Sequence, residues 1–368
     1  MNRRDFLAGA AAAVSMPYFV PSGVLAESGG KGANEKLTFG HIGVGGMGGY
    51  HLNDMKARAN RGEVNIAAVC DVDDHRLTNA SKVAGPQADV YRDYRHVIER
   101  KDLDGVVIAT PDHWHGVQTV HAAECGKHVY VEKPACCTIE EGKAMMAAAK
   151  KNKVAVQIGS QGRSQPDCHA ACTYLSNGML GKVSRVTCWH YANPVGGLEP
   201  DSPCPPELDW DLWLGPMRWR PYNKAYCHGT FRWFLESGGG QIRDRGAHVM
   251  SCALYLMGAD QQGGPVSVEA TGTAPTKGLW DCPVDMEVTY TFKNPDWVLV
   301  WSQPGKRPDK EEGVGHNDYG AVYHGDKDTL VLFGGDGGTW TQKKAREFKV
   351  APGGKEIYKS PGHKEDWF

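Results

Sequence analysis

Lys133 stands in Val131-Glu132-Lys133-Pro134, at the end of a short apolar run, where its amine has a chemical use. An amine partly withdrawn from water gives up its proton more readily, so it can polarise or deprotonate a hydroxyl. A surface lysine would fit the same letters. Further along, Gly238-Gly239-Gly240 lead into Asp244 and His248, and residues four apart share one face of a helix. That carboxylate and imidazole could point into one pocket, although the spacing also describes an ordinary helix surface. A third polar segment, Thr110-Pro111-Asp112-His113-Trp114-His115, follows another apolar run. His113 and His115 form HxH, but no carboxylate or cysteine cluster completes a metal site, so no metal is expected. They are read as cofactor or crevice contacts.

Gly43-Val44-Gly45-Gly46-Met47-Gly48 satisfies GxGxxG directly after an apolar strand and at the start of a helical stretch. Glycines there let the backbone turn tightly and approach a pyrophosphate, whose charge is met by the helix N-terminus. Asp71 follows Gly48 by 23 residues, at the end of the run Ile66 to Cys70, where a carboxylate can accept hydrogen bonds from ribose hydroxyls. Its charge repels a 2′-phosphate, which favours NAD. Arg76 lies close enough to serve that phosphate and keeps NADP as the alternative.

These residues need elements to hold them. Leu37 to Val44, Val64 to Cys70, Gly105 to Ala109, His128 to Val131 and Val154 to Ile158 read as strands of a buried parallel sheet. Val117 to Cys125 and Ile139 to Lys151 read as helices between them. The result is a doubly wound α/β, Rossmann-type domain over residues 37–158. In an open parallel sheet ligands lie at the carboxyl ends of strands, so the Thr110 and Lys133 segments should face one crevice. After Gly159, runs such as Val183 to Tyr191 and Met286 to Phe292 read as strands of a second, α+β domain over 159–368 with an open, mainly antiparallel sheet.

The balance of 41 Lys plus Arg against 43 Asp plus Glu gives no sign of nucleic acid or an anionic membrane as partner. Residues 1–26 put Arg3-Arg4 before an apolar Ala-rich run too short to span a bilayer, and Val24-Leu25-Ala26 suits a signal peptidase. Cleavage is expected after Ala26, with 27–36 as a linker and no stable membrane anchor. The paired arginines followed by Asp, Phe and Leu resemble the twin-arginine type, so the translocase for folded cargo is an expected partner and the location periplasmic or secreted. The eleven cysteines contain no CxxC pair and read as unpaired thiols. Lys364-Glu365-Asp366-Trp367-Phe368 reads as the opening turn of an amphipathic helix, and the second domain is expected to continue past it.

A strand followed by GxGxxG, a later Glu132-Lys133-Pro134, and Gly238-Gly239-Gly240 with Asp244 and His248 together resemble the Gfo/Idh/MocA oxidoreductase family. Pro111-Asp112-His113-Trp114-His115 and Leu208-Asp209-Trp210-Asp211-Leu212-Trp213-Leu214-Gly215-Pro216 are similar to its secreted, signal-bearing members in planctomycetes and related bacteria. The resemblance implies that Lys133 touches both the nicotinamide ribose and the reacting hydroxyl. It implies His248 as general acid/base, with Asp244 binding substrate or orienting the imidazole, and Gln161 bordering the nicotinamide. The cofactor contacts expected are thus Gly43, Gly45, Gly46, Met47, Gly48, Asp71, Thr110, His113, His115, Glu132, Lys133 and Gln161. Where relatives carry an acidic residue three positions after the histidine, this chain has Ser251, which departs from the pattern.

The implied activity is hydride transfer between a tightly held NAD and a secondary alcohol of a sugar, glycoside or cyclitol. A redox-type glycosidase that oxidises, eliminates and reduces again is the neighbouring reading. A non-catalytic sugar-binding protein on the same scaffold is the reading from another class. Arg163, Trp189, Tyr191, Trp210, Trp213, Tyr226 and Trp233 could line a sugar pocket or pack a core. Homo-oligomers are implied by the resemblance.

Overall fold

The computed structural model describes residues 36–261, 263–309, 318–335 and 338–368; the expected signal peptide and its cleavage site lie outside these. In the first domain β1 (Leu37–Ile42), α1 (Gly46–Asn60), β2 (Val64–Cys70), α2 (Asp74–Ala84) and β3 (Asp89–Tyr91) form one half. The other half holds α3 (Tyr94–Ile98), β4 (Gly105–Ile108), α4 (Asp112–Glu124), β5 (His128–Val131), α5 (Ile139–Asn152) and β6 (Val156–Ile158). All six strands run parallel in the order β3-β2-β1-β4-β5-β6. Strand order reverses between β1 and β4, and a crevice opens at their carboxyl ends.

Local chemistry sets these boundaries. Every residue of β4 is buried, as a central parallel strand requires. Asp73 caps α2 by accepting from the Arg76 amide, and Thr138 with Glu141 forms a capping box on α5. Helix α4 begins at Asp112, five residues before the sequence reading placed it. Its first turn is a buried polar run, Asp112, His113 and His115, which hides the apolar period that marks a packed helix.

The second domain continues with α6 (Pro166–Ser176), β7 (Val183–Trp189), α7 (Trp210–Leu214), α8 (Gln241–Leu256), β8 (Ser267–Thr273), β9 (Asp285–Phe292) and β10 (Trp297–Gln303). Strands β11 (Tyr319–Gly325), β12 (Thr329–Gly335), β13 (Gly338–Thr341) and the short α9 (Lys343–Arg346) follow. The seven strands order as β13-β12-β11-β7-β10-β9-β8, antiparallel except that β7 runs parallel to β10. The sheet is therefore mixed. Between β7 and β8 the chain makes a long excursion, so β7 cannot fold back as a hairpin and is flanked instead by later strands.

That excursion builds an aromatic lobe around Leu208, Trp213, Tyr226, Phe231 and Phe234. It docks on the first domain through Asp209 N to Val72 O at 3.0 Å and Asp74 N to Glu207 O at 3.0 Å. Helices α6 and α8 pack with the sheet in the main core of the second domain. Residues 364–367 form turns, not a helix, and Trp367 and Phe368 pack on Phe39 of β1. There the aromatic side chains and the Arg58–Glu365 and Lys364–Asp54 ion pairs fix the segment against α1.

Candidate active site

At the mouth of β1 the chain must turn within a residue, and Gly43 does so at φ 77°, where a Cβ would stand 2.7 Å from the Thr110 amide. A Cβ on Gly48 would stand 1.8 Å from the Gly43 carbonyl, so α1 can seat this close to β1 only without one. Gly45 caps α1 with no side-chain hydrogen bond, and the first turn holds no acidic residue. The helix N-terminus therefore opens on the crevice with its positive end available to an anion.

Asp71 accepts from the Val44 amide at 2.8 Å through Oδ2 and from the Asp73 amide at 3.1 Å through Oδ1. Burial raises its pKa, opposed by these hydrogen bonds and the Arg76 charge. Each oxygen retains a lone pair for a ribose hydroxyl. The Arg76 guanidinium lies across Gly45. Thr110, Trp114 and Lys133 line the crevice with Gly43, Gly45, Gly46, Met47 and Asp71, and Trp213, His228 and Phe231 of the aromatic lobe lie across from them. A glycine cradle, an uncapped helix end and a fixed carboxylate fit the pyrophosphate and ribose of a dinucleotide.

Beside this crevice a cavity of about 540 Å³ is lined by Met47, Lys133, Gln161, Asp244 and His248. Its size falls among the roughly 300–1,000 Å³ sites that hold small molecules. Lys133 Nζ donates to Asp244 Oδ1 at 2.6 Å and to the Asp244 carbonyl at 3.2 Å. Arg232 Nε lies 3.4 Å from the other carboxylate oxygen. Burial pushes the Asp244 carboxyl up, but the charges of Lys133 and Arg232 outweigh it and hold the group well below the usual carboxylate range. Asp244 is thus the clamp on Lys133 and does not orient His248. Burial, then the Lys133 charge, takes His248 down to about 4, so its ring is neutral at neutral pH. The imidazole stacks on Tyr319 with centroids 6.2 Å apart.

Glu132 is buried behind Lys133. Its carboxylate receives His51 Nε2 at 2.7 Å, Gln161 Nε2 at 2.7 Å and the Lys133 amide at 3.1 Å. Burial raises its pKa, but the His51 hydrogen bond and the surrounding positive charges bring it to about 2. Glu132 and Gln161 therefore shape the site from behind, with protein donors already on the carboxylate.

One expected contact needs correction, and a second keeps its place at the crevice with its ring nitrogens already engaged. His113 is buried away from the crevice, donating to the Trp213 carbonyl at 3.1 Å and edge-on to the Trp213 ring, so it ties α4 to the aromatic lobe. His115 reaches the crevice wall, but its ring nitrogens lie 2.7 Å from the Pro134 carbonyl and 2.8 Å from the Thr110 carbonyl. It braces the turn that carries Lys133. Trp189 is fully buried and Trp210 stacks on Trp213, while Tyr226 stacks on Phe234. Tyr191 and Trp233 line the cavity, and Ser251 accepts from Arg163 Nε at 2.6 Å.

Arg232, Arg245, His190 and Tyr319 also line the cavity and were missed. Arg245 adjoins Asp244 in sequence, a signal that was available; Arg232 and Tyr319 belong to no motif and arrive by folding alone. Among the described residues no three His, Cys, Asp or Glu side chains cluster as metal ligands. All eleven cysteines are free, and no helix among the described residues is long and apolar enough to cross a membrane.

Two family models match the chain. One, an oxidoreductase-family NAD-binding Rossmann fold, covers residues 37–160; the other, the oxidoreductase-family C-terminal alpha/beta domain, covers 173–329. The first domain is thus an NAD-binding Rossmann domain. Levoglucosan dehydrogenase from Pseudarthrobacter phenanthrenivorans is 30% identical over 166 residues, 45% of this chain and 36% of that protein. A glycosyl hydrolase family 109 protein from Shewanella sp. (strain W3-18-1) is 34% identical over 113 residues, 28% of this chain and 24% of that protein. The chain thus spans well under half the length of these two curated relatives. WlbA dehydrogenase from Bordetella pertussis, solved with NADH and UDP-GlcNAcA, superposes with TM-score 0.59 at 20% identity, covering 81% of this chain and 78% of that one. At that identity the likeness is one of fold.

Proposed function

This chain belongs to the Gfo/Idh/MocA oxidoreductase family, and on that premise we propose that it moves hydride between NAD and a secondary alcohol carbon of a sugar, glycoside or cyclitol. The observation that carries the reading is the Lys133–Asp244 pair, 2.6 Å long, between the nucleotide crevice and the polar cavity. When bound, the nicotinamide supplies the hydride acceptor or donor. Asp244 fixes the Lys133 amine against the reacting hydroxyl, and the single proton released with each hydride passes to Lys133 or to neutral His248 and returns by the same way in the reverse direction. Tyr191 and Trp233 offer faces on which a sugar ring can stack.

A second reading, redox-neutral glycoside cleavage on a resident cofactor, is favoured by one feature. The aromatic lobe forms one wall of the crevice with Trp213, His228 and Phe231, a wall that a site retaining its dinucleotide would use. Relatives named as family 109 glycosyl hydrolases support it as well. A non-catalytic sugar-binding role would leave the Lys133–Asp244 clamp without a use. Export in the folded state by the twin-arginine route agrees with a cofactor loaded before translocation, and a homo-oligomer belongs to the same proposal.

Purified protein should release NAD on denaturation or bind it on titration, and a sugar should change absorbance at the reduced-cofactor band. If no dinucleotide is retained or bound, the proposal fails. Lys133→Ala should lower turnover about 10²- to 10⁴-fold with the fold intact by circular dichroism; unchanged turnover removes Lys133 from the mechanism. Mass spectrometry of glycosides incubated with the holoprotein separates net oxidation from cleavage.

A further inference from the structure

We propose that His51 is a positioning residue for Lys133, acting through Glu132 from the helix that opens the nucleotide crevice. His51 lies one turn after Met47 on α1 and is 1% exposed. Its Nε2 donates to Glu132 at 2.7 Å, whereas Nδ1 is buried with no hydrogen-bond partner. A ring kept only for packing would be better apolar, since a buried unpaired nitrogen costs stability. The one polar tie the ring makes is therefore the reason for its type.

Glu132 distributes that tie. The oxygen that accepts from His51 also accepts from Gln161, which lines the substrate cavity. The other oxygen accepts from the Lys133 amide at 3.1 Å. Tyr130 packs edge-on to His51 at 5.0 Å, and its hydroxyl receives the Gln161 amide at 3.1 Å, so the hub is braced on a third side. Remove the His51 donor, and a buried carboxylate turns toward the adjacent Lys133, in competition with Asp244, while Lys364, the other cation facing it, stays paired with Asp54. The titratable groups facing Lys133 are Glu132, Asp244, Asp112, His115 and His248, while Glu132 also faces His51, His363 and Lys364. Because His51 and Met47 share α1, a filled crevice and the set of the amine are mechanically linked.

The inference rests on the reading of Lys133 as the group that handles the substrate proton, and its test needs no substrate. In the full chain, Lys133 acetylation by acetic anhydride is followed by peptide mass spectrometry at pH 7 and pH 9, with and without NADH. NADH affinity is measured alongside by tryptophan-to-NADH energy transfer. The variants are His51→Leu, which has no donor, and His51→Gln, whose amide reaches the position of Nε2. His51→Asn is too short to reach and serves if the leucine variant does not fold.

The donor-free variant should slow Lys133 acetylation about fivefold, because the freed carboxylate holds the amine protonated, with NADH affinity within about threefold. His51→Gln should return the rate toward wild type. An unchanged rate without the donor, or an equal change in the glutamine variant, overturns the proposal. Failure of the wild type to bind NADH would overturn the cofactor reading instead, and the acetylation comparison would still decide the role of His51.

Discussion

Asp112 shows how much a single buried charge can reveal. Its carboxyl is 5% exposed at the crevice wall, and burial raises its pKa to about 7 against the opposing charge of Lys133. Between the ordinary carboxylate pKa and 7 the folded protein keeps a proton that the unfolded chain releases, so this group costs stability progressively as pH rises through that window. Asp112→Asn removes the penalty. Thermal unfolding at pH 8 should find the variant more stable by on the order of 2–4 kcal/mol, with the gap closing below about pH 4; a gap independent of pH would show that Asp112 does not carry this cost. The residues legible in sequence, Lys133, Asp244, His248 and Asp71, were those with a motif around them. The pairing was not legible, because spacing put Asp244 with His248 on one helix whereas folding brings Lys133 from another domain to claim the carboxylate.

Helix α1 carries more than its propensity explains. Its N-terminus faces the crevice, His51 reaches Glu132, and Asp54 and Arg58, three and seven residues on and so on the same side of the helix, pair with Lys364 and Glu365. Its seat depends on Gly48, whose missing Cβ leaves room for the Gly43 carbonyl. Gly48→Ala should therefore push α1 from β1, costing more than about 2 kcal/mol in urea unfolding and weakening NADH at least tenfold. Retained affinity would mean the nucleotide does not lie at this turn. Strand and glycine positions were readable here because a buried parallel strand is a plain apolar run and a tight turn needs a particular residue. The start of α4 and the parallel β7–β10 pair were not. The first is masked by buried histidines and the second depends on strands more than a hundred residues later.

For the whole molecule, buried histidines set the acid limit, three of them by the widest margin. Burial lowers His41 to about 3, and His113 and His248 to about 4, so each is neutral in the fold where the unfolded chain would protonate it. A depressed folded pKa gives stability that is present above the unfolded value, near 6.5, and lost as pH falls toward the folded one. Asp112 works in the other direction through the same window, since the fold holds one proton there that the unfolded chain does not. His115, His169, His190, His228, His324 and His363 are lowered by burial as well, so the unfolded chain takes up about two protons or more beyond the fold, and between pH 6 and 5 stability should fall by at least about 2 kcal/mol. These groups sit in different places: His41 inside the Rossmann core, His113 where α4 meets the aromatic lobe, His248 in the cavity wall. Acid should therefore open both domains and their junction in one transition. Urea unfolding at pH 5 and pH 6, followed by tryptophan fluorescence and circular dichroism, checks this; equal midpoints at the two pH values would mean the three rings do not resist protonation. His113→Phe should remove about one proton from the difference and lower the slope by about 1.4 kcal/mol per pH unit, while leaving the crevice chemistry at Lys133 untouched.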